Sequence, residues 1–371
     1  MKLVVDFILI TGILLNLVIL SGLIRLKTKK LPQQILIVFW LFVLVNILHS
    51  YTALHNLRNI NRVTFILEDG SRFVIAPLIY MYIKSIFLRQ NNFLRGNLKH
   101  FIPFLLYFIL YTIPRLINIY SESEVFSHIA FIHQSINMPL IKDVFVLGYC
   151  MISLQLFYKV KRNMKQHYSD IKEKDLSWLQ IFLLSMTAVI LVDLMITLSE
   201  IFFDYNVLWD DFITLTFLII AMFYLGFNGL KQSTIYLPNF LGDTLSKYSS
   251  YSVLQPSESD ALRSKIDNCL QQEAMYLDPD LTLRLLAEST AKSERQLSAF
   301  LNNEMQLSFY DLINSYRIEE AKKRLLSKAY DNHTIEGIGY SCGFKSRSSF
   351  FKLFKKNTGI SPSAYKKSMQ H

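Results

Sequence analysis

Long runs of apolar residues dominate the first 230 positions of the chain and predict helices that cross a membrane. A membrane helix needs about 20 mostly apolar residues to cross about 30 Å of hydrocarbon. Seven stretches fit this pattern: Val4–Ile24, Ile35–Leu54, Phe73–Leu88, Phe101–Ile119, Leu140–Val160, Leu179–Ile201 and Phe212–Leu230. We therefore predict a seven-helix transmembrane bundle over residues 1–230.

Two of the predicted spans carry interruptions. Phe73–Leu88 is short and contains Pro77, and Phe101–Ile119 contains Pro114, which is expected to kink or end its helix. The alternative of buried helices in a large soluble protein fits poorly, because core helices rarely run so apolar so often. The first run is longer than the usual apolar core of a signal peptide, and no alanine precedes Ala53, so we expect an uncleaved span.

Basic residues in the loops predict the orientation, since loops rich in Lys and Arg stay in the cytoplasm. The segments after spans one, three, five and seven carry 14 Lys and Arg, whereas the intervening ones carry 4. The N-terminus is therefore predicted outside and the C-terminus inside. The expected location is the cytoplasmic (inner) membrane, in contact with lipid.

After residue 230 the apolar run stops, and residues 231–258, with Pro238, Gly242 and Pro256, are predicted to form a linker. From residue 259 onward, polar and apolar positions alternate at helical spacing. Residues 259–371 are therefore predicted to form a separate helical domain, and the fold class of the whole chain is all-α.

Two pairs of short helices are predicted in this domain. Thr282 and Ser293 are candidate N-caps of the first pair, and Thr334 and Ser346 of the second, because Ser and Thr side chains accept hydrogen bonds from the first turn of a helix. Each pair fits a helix-turn-helix, whose second helix enters the DNA major groove. Between them, a helix of about 18 residues, capped by Ser308, would be about 27 Å long.

The charge distribution adds a nucleic-acid partner to this pattern. The chain has 39 Lys and Arg against 29 Asp and Glu, and residues 340–371 hold seven basic residues and no acidic one. Such a density on one helix-turn-helix is typical of phosphate binding. Two recognition helices on a rigid connector can reach successive major grooves about 34 Å apart, so one chain can read a site that usually needs a dimer.

The sequence offers no catalytic or metal-binding pattern, so we expect neither enzymatic activity nor a cofactor. Cys150, Cys269 and Cys342 are far apart and form no CxxC pair, which makes a disulfide framework or a zinc site improbable. Cys342 is expected to be a small core residue.

Residues 259–371 resemble the DNA-binding domain of the AraC/XylS family of transcription regulators. The resemblance is strongest over Thr334–Tyr365, in Gly343-Phe344, Phe354-Lys355-Lys356 and Ser361-Pro362, and continues in the connecting helix at Asn314, Tyr316 and Arg317. The preceding spans are similar, more loosely, to membrane-anchored AraC-type regulators of the Bacteroidetes type.

The resemblance implies which residues contact DNA. Base reading is implied for the following residues of the two recognition helices: Arg295, Gln296, Ser298 and Ala299, then Arg347, Ser348, Phe351 and Lys352. Lys355 and Lys356 are expected to contact phosphate. Two positions depart from the family pattern: Ala291 stands where glycine is common, and Gly339 where alanine is usual.

Asp193, near the middle of the sixth predicted span, is a candidate sensing residue, because an acid within a membrane is costly and often functional. The alternative is a structural hydrogen-bond acceptor for a neighbouring helix.

The leading hypothesis is a membrane-embedded regulator that binds double-stranded DNA, couples an unknown effector to a promoter and acts on RNA polymerase, with a homodimer as one option. The alternative is a seven-span receptor that signals through a protein partner of its C-terminal domain.

Overall fold

The apolar runs of the sequence form helices in a computed structural model of the chain. The structure describes residues 2–27, 30–87, 93–121, 125–126, 129, 136–169, 173–203, 210–231 and 256–369. Within these ranges the regular structure is helical, with a single antiparallel bridge between Tyr168 and Thr282. The all-α prediction is confirmed. The chain divides into two compact units, Met1–Tyr158 with Leu176–Gly242, and Lys159–Asp175 with Asp243–His371.

The first unit contains the apolar helices. Its α-helices are α1 (Lys2–Arg25), α2 (Leu31–Leu54), α3 (Arg58–Glu68), α4 (Arg72–Phe87), α5 (Phe93–Asn97), α6 (Ile102–Tyr107), α7 (Ile113–Ser121), α8 (Met138–His167), α9 (Glu173–Phe203) and α10 (Asp210–Lys231). The last turns of α8 and the first residues of α9 belong to the second unit.

Five segments of the described residues are long and apolar enough to cross a membrane. They are Lys2–Arg25, Leu31–Leu54, Phe93–Ile119, Met138–His167 and Ser177–Phe203. The third predicted span corresponds to α4, which has 16 residues, and the seventh lies in α10, where Ile219–Asn228 is a shorter apolar stretch. The total of seven spans stays a prediction. Most of the predicted linker, residues 232–255, lies outside the described residues.

Pro114 does not end the fourth predicted span. A 3-10 turn (Leu98–Phe101), α6, a π-helical turn (Phe108–Thr112) and α7 follow one another, and the helix continues to Ser121. A proline ring clashes with the carbonyl four residues earlier and lacks an N–H donor. The wide π turn directly before Pro114 makes room for the ring, so the chain keeps its helical course.

The amphipathic helix α3 connects α2 to α4 and was not among the predicted elements. Its apolar side chains Ile60, Val63 and Leu67 are exposed and recur at helical spacing. Its polar side faces α2, where the Thr64 hydroxyl and His49 Nδ1 lie 3.0 Å apart. A helix with one exposed apolar side and one polar side is typical of a helix at a membrane surface.

Close packing of α1, α2 and α10 forms one part of the first unit's core. A Cβ atom added to Gly226 of α10 would lie 2.5 Å from Ile19 and 2.7 Å from Trp40. Asn16 of α1 donates a hydrogen bond to the Trp40 carbonyl at 3.2 Å. The glycine therefore permits a helix approach that any larger residue would block.

The second unit contains two small helical layers on a long central helix. Its helices are α11 (Pro256–Gln271), α12 (Leu283–Ser289), α13 (Glu294–Asn303), α14 (Phe309–Leu326), α15 (Ile335–Ser341), α16 (Arg347–Thr358) and α17 (Pro362–Ser368). The core between α11, α12, α13 and the start of α14 is fully buried and includes Ile266, Leu286, Leu297, Phe300 and Ile313.

Candidate DNA-binding interface

The first helix-turn-helix consists of α12 and α13, and local hydrogen bonds set both of its helix starts. The Thr282 hydroxyl accepts a hydrogen bond from the Leu285 amide at 3.3 Å. Ser293 and Gln296 form a capping box, each side chain bonding the other's backbone amide at 3.2 and 3.1 Å. Both predicted caps are confirmed.

The turn between α12 and α13 contains a strained residue. Ala291 has a φ of 53° in the left-handed region, which costs an L-residue about 1–2 kcal/mol. The preceding Thr290 is fully buried, and its hydroxyl bonds the Leu286 carbonyl at 2.9 Å. A buried, hydrogen-bonded threonine thus holds the turn where a glycine would be unstrained.

The four predicted readers on α13 differ in exposure. Arg295 and Gln296 are exposed, and Ala299 is half-buried. Ser298 is only 2% exposed, and its hydroxyl lies 3.3 Å from the Asn302 amide nitrogen. The Gln296 carbonyl oxygen is engaged in the capping box. Arg295 is therefore the long side chain best placed to reach outward from this helix.

The second helix-turn-helix consists of α15 and α16. Thr334 caps α15 by accepting a hydrogen bond from the Gly337 amide at 3.0 Å, and Ser346 caps α16 through the Ser349 amide at 3.2 Å. Between them Gly343 has a φ of +89°, and an added Cβ would lie 2.7 Å from the Tyr276 carbonyl oxygen. The turn therefore needs glycine for both its conformation and its packing.

Glycine at position 339 has a packing reason. A Cβ atom there would lie 2.5 Å from the ring of Phe350, which is 1% exposed. The ring of Phe350 also contacts Phe344 and Phe354, with centroids 5.2 and 5.7 Å away. The bulky ring occupies the space that an alanine methyl at position 339 would need.

The outer side of α16 carries the second set of predicted readers. Arg347, Ser348 and Lys352 are exposed, and Phe351 is half-buried. The Arg347 guanidinium lies 5.1 Å from the Phe351 ring centre. A guanidinium held against an aromatic face is partly preorganised. The structure therefore brings these four side chains together on one face of a capped helix.

Lys355 and Lys356 lie in the last turn of α16, and both are exposed. Positive side chains at a helix C-terminus interact favourably with the helix dipole. Nearby acidic groups neutralise only part of the basic surface. Glu336 lies 3.7 Å from Arg347, and the hydrogen bond and charge of Lys345 lower the pKa of the Asp280 carboxyl.

A fully buried arginine joins the segment before the first helix-turn-helix to the second helix-turn-helix. Arg317 of α14 donates hydrogen bonds to the backbone carbonyls of Tyr276 and Asp278, each at 2.7 Å, and its guanidinium lies 5.9 Å from the Phe344 ring centre. A buried cation is tolerated only when such acceptors surround it. Sequence reasoning noted Arg317 as part of the resemblance but gave it no role.

Residues 159–169 belong to the second compact unit of the chain, although they lie far from the rest of it in sequence. The Ser169 hydroxyl donates to the Leu281 carbonyl at 2.8 Å and accepts from Arg317 at 3.2 Å, while the Asn314 side chain donates to the Ser169 carbonyl at 2.8 Å. Tyr168 forms its bridge with the cap residue Thr282. No periodicity or motif in the sequence signals these contacts.

The segment also lies beside the first recognition helix. His167 is buried, with Nδ1 3.7 Å from the carboxylate of Glu294, the first residue of α13. The Lys165 ammonium lies 5.5 Å from the ring centre of Tyr310 on α14. Residues 165–169 therefore contact both the first helix-turn-helix and the helix that connects it to the second.

Cys342 is buried at the end of α15, as its predicted role as a core residue requires. Burial raises the pKa of its thiol to about 11, so the neutral thiol predominates at pH 7. All three cysteines are buried and free. The described residues contain no cluster of three or more His, Cys, Asp or Glu that could hold a metal ion.

Comparison with known proteins relates the second unit to helix-turn-helix transcriptional regulators. Residues 286–368 match a family model described as a helix-turn-helix domain. A protein of Pseudoalteromonas carrageenovora, named an uncharacterised HTH-type transcriptional regulator in the cgkA 5′ region, is 30% identical over 127 residues. That alignment covers 33% of this chain and 74% of the relative.

Two other relatives also match part of the chain. The uncharacterised HTH-type transcriptional regulator YijO of Escherichia coli K12 is 32% identical over 118 residues, which cover 29% of this chain and 41% of YijO. A regulator of the same description from Staphylococcus aureus strain COL is 31% identical over 102 residues, which cover 28% of this chain and 13% of the relative. No solved structure matches the chain.

Proposed function

We propose that this chain, which belongs to the AraC-type helix-turn-helix transcriptional regulators, is a membrane-embedded, sequence-specific DNA-binding protein. In this role it couples a signal to a promoter. The observation that carries the proposal is the second unit's pair of capped helix-turn-helices on either side of α14. DNA binding follows from the family. The membrane location, the coupling and the individual contacts are the proposed part.

The recognition helices α13 and α16 are proposed to enter successive major grooves on one DNA face, about 34 Å apart. On α16, Arg347 is proposed to form a bidentate contact with guanine, with Lys352 beside it, and Ser348 at a neighbouring base. Phe351 supports the Arg347 guanidinium at 5.1 Å. Specificity is proposed to be concentrated on this helix.

On α13, Arg295 and Gln296 are proposed to reach bases or phosphates, with Ala299 limited to apolar contact. Ser298 is buried, so we do not carry its predicted base contact into the proposal. Lys355 and Lys356 are proposed to contact phosphate, which adds affinity without sequence information.

The first unit is proposed to lie in the cytoplasmic membrane, with the second unit in the cytoplasm. The five apolar segments of membrane length support this placement. The basic residues that follow alternate predicted spans support the orientation. DNA binding requires the second unit on the side where the chromosome lies.

Residues 159–169 are proposed to pass the signal to the DNA-binding unit. They continue α8, one of the five segments of membrane length, and they form part of the second unit through Ser169, Asn314 and Arg317. A displacement of α8 along its axis would therefore shift the residues that contact the start of α12. The result is proposed to be a change in promoter occupancy, and through it in RNA polymerase recruitment or exclusion.

The test is DNA binding by full-length protein in lipid nanodiscs. Genomic fragments retained by the protein are sequenced, and the enriched site is footprinted at increasing salt. The proposal predicts two protected patches about one helical turn apart, on one face, and a steep loss of binding with salt. Absence of an enriched site, together with capture of a protein partner by the second unit, would instead support the receptor alternative.

A further inference from the structure

The first unit contains a partly open cavity of about 350 Å³ that the DNA-binding role does not use. It lies between α2, α3, α4, α8, α9 and α10, and most of its wall is apolar, including Ile47, Ile75, Val146, Ile190 and Met222. Small-molecule sites have volumes of about 300–1,000 Å³ and combine such walls with a few placed polar groups. The volume and the lining therefore fit a compact organic molecule.

The polar groups of the cavity come from α2, from the end of α3, from the start of α4 and from α9. Glu68, Arg72, Asp193 and His49 all line it. Arg72 Nη1 lies 3.1 Å from Asp193, and it also donates to Asp143, which is buried behind it. The guanidinium is therefore already shared between two carboxylates.

The charges around the cavity favour a cation. Three carboxylates, those of Glu68, Asp143 and Asp193, lie around the guanidinium of Arg72, and the neighbouring carboxylate of Asp69 is paired with both Arg115 and Lys142. Counted together, these four carboxylates outnumber the three cations Arg72, Arg115 and Lys142 by one, and His49, 3.7 Å from Glu68, would cancel that excess only in its protonated form. An anionic ligand would have to displace two carboxylates from Arg72, whereas a cation would compensate the excess.

We propose that this cavity binds a small organic ammonium ion, with its charged nitrogen between Glu68 and Asp193 and its apolar body against the isoleucine-rich wall. Its regulatory meaning rests on the proposed function: the bound ion would bias α8 and α9, whose adjoining ends contain most of residues 159–175. A ligand shifts such an equilibrium only through unequal affinity for the two arrangements. The cavity lining from both helices, Val146 and Asp193, supplies that possibility.

Thermal unfolding of the full-length protein in nanodiscs, with small probe molecules, tests the assignment. The probes are hexylamine, cyclohexylmethylamine and phenethylamine, each compared with the alcohol and the carboxylate of the same carbon skeleton. At least one amine is expected to raise the unfolding temperature in a saturable way, because a ligand that binds only the folded state stabilises it. Its alcohol and carboxylate counterparts are expected to have smaller effects.

Variants locate the binding. Glu68→Gln and Asp193→Asn are expected to weaken amine binding about tenfold or more, since each removes a charge-assisted contact. Glu200→Gln, an acidic residue of α9 that does not line the cavity, is the matched control and should leave binding unchanged. Glu68 is partly exposed, so this variant keeps the test valid if Asp193→Asn fails to fold.

Three results would overturn the proposal: no amine binds, a carboxylate binds more tightly than its amine, or both cavity variants bind like the parent. DNA retention by the same nanodiscs without probes separates this failure from failure of the proposed function. Amine binding without DNA binding would leave the cavity assignment standing. DNA binding without amine binding would overturn the cavity assignment alone.

Discussion

On the second recognition helix, adjacent residues have opposite roles. Phe350 and Phe354 are 1% exposed or less and hold α16 against the core, whereas Arg347 and Lys352 are exposed on its other side. Substitutions of Phe350 or Phe354 are therefore expected to change the stability of the domain, and substitutions of Arg347 or Lys352 to change the proposed contacts with DNA. This separation makes the interface testable by mutation without unfolding.

The first prediction concerns specific and general contacts of α16. Arg347→Ala and Lys352→Ala are expected to weaken binding to the selected site by about 1–3 kcal/mol if each contacts a base. Lys356→Ala is expected to weaken selected and random DNA equally, as loss of a phosphate contact would. Filter binding of both DNAs at one salt concentration measures the difference. Equal losses for Arg347→Ala on the two DNAs would reassign that residue to phosphate.

The second prediction separates strain from steric overlap at two glycines. Gly343 and Gly359 have φ values of +89° and +81°, but only at Gly343 would an added Cβ meet other atoms. Gly359→Ala should lower the free energy of unfolding by about 1–2 kcal/mol through backbone strain. Gly343→Ala should lower it by about 1–3 kcal/mol more, through overpacking. Hydrogen exchange of the α15 and α16 amides in the full chain reports both costs. Equal protection in the two variants would contradict the packing role.

At the scale of helices and turns, local chemistry made the second unit predictable. Thr282, Ser293, Ser308, Thr334 and Ser346 were all predicted as N-caps and all accept the expected hydrogen bond. Caps, turn glycines and apolar spacing act within a few residues, so the sequence displays them directly. The Phe309–Leu326 helix has the predicted length of 18 residues for the same reason.

Contacts between distant segments could not be predicted in the same way. The hydrogen bonds from Asn314 and Arg317 to Ser169 join residues that are 145 and 148 positions apart in sequence. No periodic pattern in the sequence identifies Ser169 as their partner. The π turn before Pro114 and the burial of Ser298 likewise depend on neighbours in space. The same holds for the charged residues of the cavity. The sequence made Asp193 a candidate sensing residue but did not identify Arg72 as its partner.

The third prediction concerns the segment 159–169 as an element of the DNA-binding unit. Ser169→Ala removes an acceptor of buried Arg317, which costs about 1–3 kcal/mol. Faster hydrogen exchange is expected around residues 276–281 and 310–317 in the full-length protein. Ser315→Ala, an exposed serine on the same central helix, is the control. Unchanged exchange in Ser169→Ala would show that the segment adds nothing to the unit's stability.

At the scale of the whole molecule, the fourth prediction concerns orientation. Alkaline phosphatase fused after Tyr205 should be active, because that loop is predicted outside the cytoplasmic membrane. The same fusion after Gln232 should be inactive. The reversed pattern would contradict both the predicted orientation and a cytoplasmic DNA-binding unit.

The most direct test of a membrane-embedded DNA-binding regulator is a chromosome-wide footprint of the full-length protein in its own cells, with the membrane fraction analysed in parallel. The account predicts discrete occupied sites while all intact protein remains in the membrane fraction. It also predicts that the double substitution Arg347→Ala with Lys352→Ala abolishes this occupancy without changing the amount of membrane protein. Absence of occupied sites, or occupancy that survives the double substitution, would contradict it.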